Sequence, residues 1–303
     1  MKYNTGLKNK FRIPFILFCV IPPLINFLVF YVYVNASALV MGFMDKNGQW
    51  TLDNFIRLIS EFQSENSDIV LGLRNTFLTF GICLITYPFK VLVSYFIYKK
   101  VPFSGFYRIV FFLPTIVFSV CIALVFQRMV GPSGLISETV KNLFHMEQSP
   151  ELLADSRYAN ITVLAHMIWL NFPGDLILWG GNFTKIPVEV LEAGEVDGTN
   201  WFTEFTKIIV PMVWPMVALQ MVMMFAGIFG TSGEVFLLTE GQYGTMTLSA
   251  WMYLTLIRNS GSGYYSNVYN YLSAVGLVTT VIAIAVAFLV RRITNKAFND
   301  VEF

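Results

Sequence analysis

The sequence predicts an all-α membrane protein with six transmembrane helices, and three observations support this fold class. Hydrophobic residues make up 55% of the 303 residues and charged residues only 13%, whereas soluble domains carry roughly 25% charged residues. Six apolar runs are long enough to cross a hydrocarbon core of ~30 Å as helices. None shows the alternating pattern of about ten residues that is typical of a membrane β-barrel strand. The predicted spans of this single transmembrane domain, residues 1–303, are 13–34, 76–98, 106–128, 161–181, 213–233 and 268–290.

Proline residues inside the runs predict a packed bundle rather than isolated helices. Pro88, Pro114 and Pro173 lie within predicted spans, and a span tolerates proline where neighbouring helices satisfy the freed carbonyl groups. The first run has about 22 residues, more than the 7–15 apolar residues of a typical signal peptide. We therefore expect it to be retained as a transmembrane helix, although Ala36-Ser37-Ala38 resembles a cleavage site.

The distribution of basic residues predicts a multi-pass protein of the cytoplasmic membrane with both termini in the cytoplasm. Twelve Lys and Arg residues lie near the two termini and in the second and fourth connections, against seven in the other connections. Cytoplasmic loops carry the excess of Lys and Arg. The fourth connection, which contains the charged segment 188–211, is therefore expected on the cytoplasmic side.

No motif for catalysis, metal binding or cofactor binding occurs in the chain. The sequence has no GxxxxGK[ST] phosphate loop, no GxGxxG turn and no HExxH zinc site. Each of the three cysteines lies in a span, where we expect it to pack as a small apolar residue. We therefore expect no catalytic residue, no metal and no cofactor. Such a protein moves solutes passively, couples to an ion, or takes energy from another subunit.

The segment 188–211 between the fourth and fifth spans is predicted to form two short helices. Pro187 suits the first position of a helix, where its missing N–H has no cost. Gly198 can adopt a positive φ and so end the first helix. Thr199 or Asn200 can cap the second helix.

The side chains of this segment predict one apolar face and one small notch. Trp201, Phe205 and Ile208 recur at i, i+4 and i+7, which places them on one side of a helix. Ala193-Gly194 forms a notch that another backbone can approach closely. Pro211 is expected to close the second helix before the fifth span.

The spacing in this segment resembles the EAA motif of permease subunits of ATP-binding-cassette (ABC) importers. That pattern is Glu-Ala-Ala, three residues, Gly, nine residues, Ile, two residues and Pro. This chain has Glu192-Ala193-Gly194, Asp197-Gly198, Ile208 and Pro211 at the corresponding positions. Gly194 stands where the family usually has Ala, which keeps the side chain small.

Motifs elsewhere extend the resemblance to the carbohydrate-uptake, maltose-permease-like branch of this family. They are Arg74-Asn75-Thr76, Arg108 with Phe111-Phe112-Leu113-Pro114, Gly134-Leu135-Ile136, Ile186-Pro187, and Leu237-Leu238-Thr239 with Thr245. The Gly-Gly-Pro that usually follows Leu-Leu-Thr is not kept in 240–244, and the usual acidic residue is displaced to Glu234.

The resemblance implies a subunit that works with several partners. These are a second permease, expected to form a heterodimer with this chain, two ATP-binding ATPase subunits, an extracellular solute-binding protein and membrane lipid, with no nucleic acid. ATP hydrolysis is expected in the ATPase subunits, so this chain is not expected to be an enzyme. The implied ATPase-coupling residues are Glu192, Ala193, Gly194, Asp197, Gly198, Trp201, Phe205, Ile208 and Pro211. Glu192 is expected to contact the ATPase, and Gly198 to set the bend between the helices.

Polar residues inside spans are candidates for a substrate path, because they usually face the interior of the bundle. The candidates are Trp169, Asn171, Asp175 and Gln220. Asn171 and Asp175 are one turn apart and can bond sugar hydroxyls, and Trp169 or Phe172 can stack on a sugar ring. Pro173-Gly174 is expected to break the helical hydrogen bonding and expose carbonyls. The alternative for each is a structural ion pair or a packing contact.

Two further polar residues inside spans have competing interpretations. Lys90 either pairs with Asp175 or extends to the cytoplasmic interface, and we expect the second because it lies about eight residues from Tyr98. His166 is expected to be a buried residue with its hydrogen bonds satisfied.

Three alternative functions remain open from the sequence. The first is an ABC importer permease for another solute, such as a polyol phosphate or a polyamine. The second is a standalone ion-coupled carrier, and the third is a membrane scaffold that docks a cytoplasmic protein. The carrier predicts transport by the chain alone and a twofold hydropathy repeat, which the sequence does not show.

Overall fold

The computed structural model describes residues 5–64, 67–230, 233–259 and 265–297. The helices before residue 150 are α1 (Thr5–Asn26), π1 (Phe27–Tyr33), α2 (Val34–Gly42), α3 (Asp53–Gln63), α4 (Asp68–Tyr98), α5 (Ser104–Ile116), α6 (Ser119–Val130) and α7 (Leu135–Leu143). Those after it are α8 (Ala159–Phe183), α9 (Val188–Val196), α10 (Trp201–Glu204), π2 (Phe205–Ile209), α11 (Val210–Ala226), α12 (Gly233–Thr239), α13 (Leu248–Asn259) and α14 (Tyr265–Ala297). The described residues form no β-strand beyond one isolated bridge, so the all-α prediction is confirmed.

Six helical stretches of the described chain are long and apolar enough to cross a membrane, as predicted. They are Pro14–Gly42, Asp68–Tyr98, Ser119–Leu143, Ala159–Phe183, Trp201–Ala226 and Asn267–Lys296. The run predicted as one span at 106–128 is divided between α5 and α6, because Val117 and Phe118 are extended. Pro114 also removes one helical hydrogen bond from the last turn of α5.

The chain forms two compact units. They are residues 1–60 with 255–279, and residues 61–254 with 280–303. In the first unit, the Asn54 side-chain amide donates to the carbonyl oxygens of Gly42 at 3.1 Å and Met44 at 3.0 Å. The Arg57 guanidinium lies 4.1 Å from the centre of the Tyr271 ring. These contacts fix the surface helix α3 on its own unit.

In the second unit, a core of large side chains lies where α4, α8, α9 and α11 meet. Its buried members are Tyr87, Val91, Tyr95, Trp179, Phe183, Ile186, Leu191, Ile209, Val213 and Val217. Leu191 and Ile209 belong to the segment 188–211, so this core joins the charged segment to the transmembrane helices.

Two motifs of the family resemblance meet at the first turns of α4. The Asn75 side-chain amide donates to the carbonyl oxygens of Gly244 at 2.7 Å and Met246 at 2.8 Å. The Thr76 hydroxyl accepts a hydrogen bond from the Leu248 N–H at 3.0 Å. These bonds hold the turn between α12 and α13 against α4, which gives Asn75 and Thr76 a structural role.

Candidate coupling and translocation sites

The turn between α9 and α10 has the geometry predicted from its glycine. The Asp197 N–H donates to the Ala193 carbonyl at 3.0 Å, and the Thr199 N–H reaches back to the Gly194 carbonyl at 3.0 Å. Gly198 has a φ of +73°, a conformation that side-chain-bearing residues rarely adopt. The predicted helix break at this glycine is therefore confirmed.

The second helix begins as predicted but does not end where it was expected to end. The Asn200 side chain accepts a hydrogen bond from the Thr203 N–H at 2.8 Å and caps α10. Pro211 does not close the helix, because one helical stretch continues from Trp201 to Ala226. Proline lacks an N–H donor, and the wider π2 turn just before it absorbs this loss. At the end of π2, the Val210 N–H donates to the Phe205 carbonyl, which is five residues back instead of the usual four.

Aromatic side chains fix this segment to the C-terminal end of α4. The Trp201 ring lies 5.5 Å from the Phe96 ring, and the Phe205 ring lies 5.2 Å from the Tyr95 ring, measured between centroids. Aromatic pairs at these distances add about 0.5–1.5 kcal/mol beyond their buried area. The predicted anchoring residues therefore contact the bundle.

The notch at Gly194 receives a side chain and not a backbone. A Cβ atom at Gly194 would lie 2.9 Å from Ile208 Cδ1 and 3.2 Å from Thr199 Oγ1. The glycine thus makes room for the isoleucine that the EAA pattern places further along the segment. The expectation that another backbone approaches here is wrong within this chain.

A lysine at the end of the second span ties both short helices to α4, which sequence reasoning missed. Lys99 Nζ lies 2.7 Å from Glu204 Oε1 on α10 and 3.8 Å from Glu195 Oε1 on α9. Glu204 is buried, whereas Glu195 is exposed. The sequence shows all three charges near span ends but gives no sign of which of them meet.

The opposite face of the segment is exposed and mixes acidic with apolar side chains. Glu192, Ala193 and Asp197 are exposed. Val196 is 88% exposed and Phe202 is 58% exposed, although both are apolar. Within this face only Phe202 contacts an aromatic anchor, since its ring lies 5.7 Å from the Trp201 ring, measured between centroids.

A buried ion pair joins α4 to α8, and it corrects the expectation for Lys90. Lys90 Nζ lies 2.8 Å from Asp175 Oδ2, and the two side chains are 10% and 25% exposed. Lys90 does not extend to the interface, because α8 packs along α4 and brings the carboxylate within reach. The alternative of a structural ion pair for Asp175 is the arrangement observed.

The turn around Pro173 also differs from expectation. α8 continues from Ala159 to Phe183 without a break, since proline removes only one helical hydrogen bond. Lys90 Nζ donates to the Asn171 carbonyl at 3.2 Å, so this carbonyl already has a partner.

Glu234 joins the ion pair to a third helix, a contact that the sequence did not reveal. The Asn171 side-chain amide donates to the Met167 carbonyl at 2.8 Å and to Glu234 Oε1 at 3.4 Å. Glu234 lies in the first turn of α12. It is the acidic residue whose position differs from that in the family motif. Trp169 lies one turn before Pro173 on α8 and is 45% exposed. We define Lys90, Asn171, Asp175 and Glu234 as the polar cluster.

Gln220 does not join the polar cluster. Its side chain is half-buried on α11 and makes no hydrogen bond with any described residue. No three His, Cys, Asp or Glu side chains among the described residues come close enough to hold a metal ion.

His166 is buried but is not satisfied as expected. Neither ring nitrogen has a hydrogen-bond partner among the described residues. Its ring lies 4.6 Å from the Phe126 ring and 6.0 Å from the Trp169 ring, measured between centroids. These aromatic neighbours enclose the imidazole without offering it an acceptor.

Several known proteins are similar to this chain in sequence. No family model matches the chain. The chain is 28% identical over 189 residues to the probable ABC transporter permease protein YurN of Bacillus subtilis, covering 61% of this chain and 62% of YurN. It is 22% identical over 289 residues to the arabinooligosaccharides transport system permease protein AraP of the same species, covering 91% and 87%. It is 31% identical over 152 residues to the maltose/maltodextrin permease protein MalF of Vibrio parahaemolyticus, covering 50% of this chain and 29% of MalF.

Solved structures share the fold over almost the whole chain. A chain of a bacterial ABC transporter that imports the acidic polysaccharide alginate superposes with a TM-score of 0.78 at 20% identity, covering 96% of this chain and 98% of that chain. A second structure, of an alginate ABC transporter in complex with an alginate pentasaccharide-bound periplasmic protein, superposes with a TM-score of 0.77 at 20% identity, covering 94% and 97%.

Six helices that are long and apolar enough to cross a membrane, with an exposed segment between two of them, are the features of a multi-pass membrane protein. The relatives of this chain in sequence are permease proteins of ABC transporters, the narrower class that the EAA spacing indicated.

Proposed function

We propose that the chain is one permease subunit of an importer for a sugar or oligosaccharide, and that the segment 188–211 couples it to ATPase subunits. The observation that carries this proposal is the two-sided construction of the segment. Its inner side is fixed to the bundle by Trp201, Phe205 and Lys99. Its outer side exposes Glu192 and apolar groups to the predicted cytoplasm.

The contacts of the segment provide a path by which ATPase movement reaches the spans. Since α10, π2 and α11 are one continuous stretch, a displacement of α10 turns the fifth span with it. The Lys99 ion pairs connect the same displacement to α4. α4 carries Lys90, so movement at the cytoplasmic end is passed toward the polar cluster.

The solute class follows from the relatives and from the polar cluster. The names of AraP and MalF refer to arabinooligosaccharides and to maltose and maltodextrin. The polar cluster offers an amide and carboxylates that can bond hydroxyls, and α8 also carries the exposed ring of Trp169, which can stack on a sugar ring. In this proposal Asn171 and Asp175 contact the solute when the bundle opens.

The partners and orientation belong to the same proposal. A second permease completes the path, two ATPase subunits bind ATP beneath it, and an extracellular binding protein delivers the solute. Both termini lie in the cytoplasm, although residues 1–4 and 298–303 are outside the described residues. Hydrolysis of ATP takes place in the ATPase subunits.

The test compares two exposed glutamates in the complete transporter reconstituted in proteoliposomes. Glu192→Ala is expected to lower binding-protein-stimulated ATP hydrolysis and oligosaccharide uptake about tenfold, the effect of losing about 1.4 kcal/mol of docking energy. Glu138→Ala, which changes another exposed glutamate on the short helix α7, is the control and is expected to leave both rates unchanged. Equal rates for wild type and Glu192→Ala would refute coupling through this residue. Uptake of a polyamine or polyol phosphate instead of a sugar would refute the solute class.

A further inference from the structure

A groove lies between α11 and the last turns of α14. It has a volume of about 550 Å³. Its lining residues are Trp214, Pro215, Ala218, Leu219 and Val222 on α11, and Arg291, Thr294 and Asn295 on α14. The Trp214 indole N–H donates to the Thr294 carbonyl at 3.0 Å and joins the two helices along the groove.

The groove is amphipathic along its length. Arg291 and Asn295 line it near the end of the last span, which is predicted to face the cytoplasm. Ala218, Leu219 and Val222 line it further along α11, toward the middle of the fifth span. Eight helical residues separate Trp214 from Val222, a rise of about 12 Å. A ligand that fills this groove has a polar end at the interface and an apolar part within the membrane.

The charge at the polar end is uncompensated. Arg291 is exposed, and its guanidinium makes no ion pair or hydrogen bond with any residue that the structure describes. No carboxylate side chain lines the groove. The cytoplasmic leaflet is rich in anionic lipids, and basic pockets between transmembrane helices on that side bind anionic headgroups.

We propose that this groove is a binding site for an anionic phospholipid of the cytoplasmic leaflet. The guanidinium of Arg291 holds the phosphate, Asn295 adds a polar contact, and an acyl chain lies along Ala218, Leu219 and Val222. The bound lipid fills the space between the fifth and sixth spans beside the Trp214 contact. This site is independent of which solute the permease carries.

The experiment uses the complex of the full chain with its second permease, purified in a neutral detergent and depleted of lipid. Binding of phosphatidylglycerol and of phosphatidylcholine with the same acyl chains is measured by native mass spectrometry and by the shift in unfolding temperature. Wild type is expected to prefer phosphatidylglycerol. Arg291→Ala is expected to weaken phosphatidylglycerol binding about fivefold and leave phosphatidylcholine binding unchanged, since one basic residue near an anionic surface contributes about that much affinity.

Two controls decide between this site and its alternatives. Arg292→Ala removes the same charge from the next residue, which does not line the groove, and is expected to retain the preference. An equal loss of phosphatidylglycerol binding in both variants would show that the lipid responds to surface charge in general, and it would overturn the proposal. Equal stabilisation by inorganic phosphate would indicate a free anion site. Loss of the second permease from the purified complex in Arg291→Ala, with unchanged lipid binding, would make the groove a subunit interface instead.

Discussion

The coupling segment and the polar cluster use charged residues in opposite ways. In the segment 188–211, Glu192 and Asp197 are exposed to solvent, on the side that we predict to be cytoplasmic. In the polar cluster, Lys90 and Asp175 lie between packed helices and neutralise each other at 2.8 Å. The charges in the segment are therefore accessible to another molecule. The Lys90–Asp175 pair in the cluster is instead needed for the stability of the folded bundle. A solute that uses Asp175 must compete with Lys90.

The largest expected effect tests that condition. Asp175→Ala leaves the Lys90 ammonium buried without its carboxylate, and removing one partner of a buried pair destabilises by about 3–5 kcal/mol. Because the Asp175 side chain is 25% exposed, we expect a loss near the lower end, about 3 kcal/mol. The measurement is the free energy of unfolding in mixed detergent micelles.

The control for this change removes both charges. Lys90→Met with Asp175→Leu is expected to recover most of the lost stability, since no isolated charge remains. If the double variant is also impaired in uptake at normal stability, Asp175 or Lys90 contacts the solute. If the single and double variants are equally unstable, the ion pair is not the cause.

A smaller effect is expected at the ion pair that joins the segment to the bundle. Lys99→Ala removes the ammonium that pairs with the buried Glu204 carboxylate and leaves it the Tyr95 hydroxyl. We expect a loss of about 2 kcal/mol, because the lysine is partly exposed and water can replace part of its contact. We also expect ATP hydrolysis to continue while uptake falls, since α4 no longer follows α10. Lys99→Arg keeps the charge and is expected to restore coupling. A parallel loss of both rates in Lys99→Ala would show a folding defect only.

The two regions also differ in how far the sequence could predict them. The break at Gly198, the cap at Asn200 and the apolar face of α10 depend on neighbours within a few residues, so local spacing was sufficient. The pairing of Lys90 depends on how α4 packs on α8. The pairing of Lys99 with Glu204 likewise joins residues far apart in the chain, where one sequence gives no distance information.

The continuity of the helix through Pro211 has the same explanation. Proline alone predicts a helix end, but the π2 turn and the packing of Ile209 in the core retain the helix. The division of the third predicted span at Val117 escaped prediction because both of its helices are apolar.

A third prediction isolates the backbone of the coupling segment. Gly198→Ala introduces a Cβ that meets no atom within 4 Å, so its cost comes only from the φ of +73°. Left-handed backbone costs a residue with a side chain about 1–2 kcal/mol. Gly181→Ala is the matched control, because its Cβ also meets no atom but lies in the α8 helix. We expect lower stability for the first and unchanged or higher stability for the second, measured by chemical unfolding. Equal stability of both variants would mean that the turn relaxes to another conformation.

The smallest effect concerns the departure from the EAA pattern at Gly194. Alanine in place of glycine favours a helix by about 0.8–1.0 kcal/mol, but its Cβ would lie 2.9 Å from Ile208 Cδ1. Rotating the end of the isoleucine away from its preferred rotamer costs about 0.5–1.5 kcal/mol, so the two effects nearly cancel. We expect Gly194→Ala alone to change stability by less than about 0.5 kcal/mol and to become stabilising when Ile208→Val removes the crowding methyl group. A double-mutant cycle of unfolding free energies should give a coupling of at least about 0.5 kcal/mol, and additive effects would show that Ile208 does not occupy the notch.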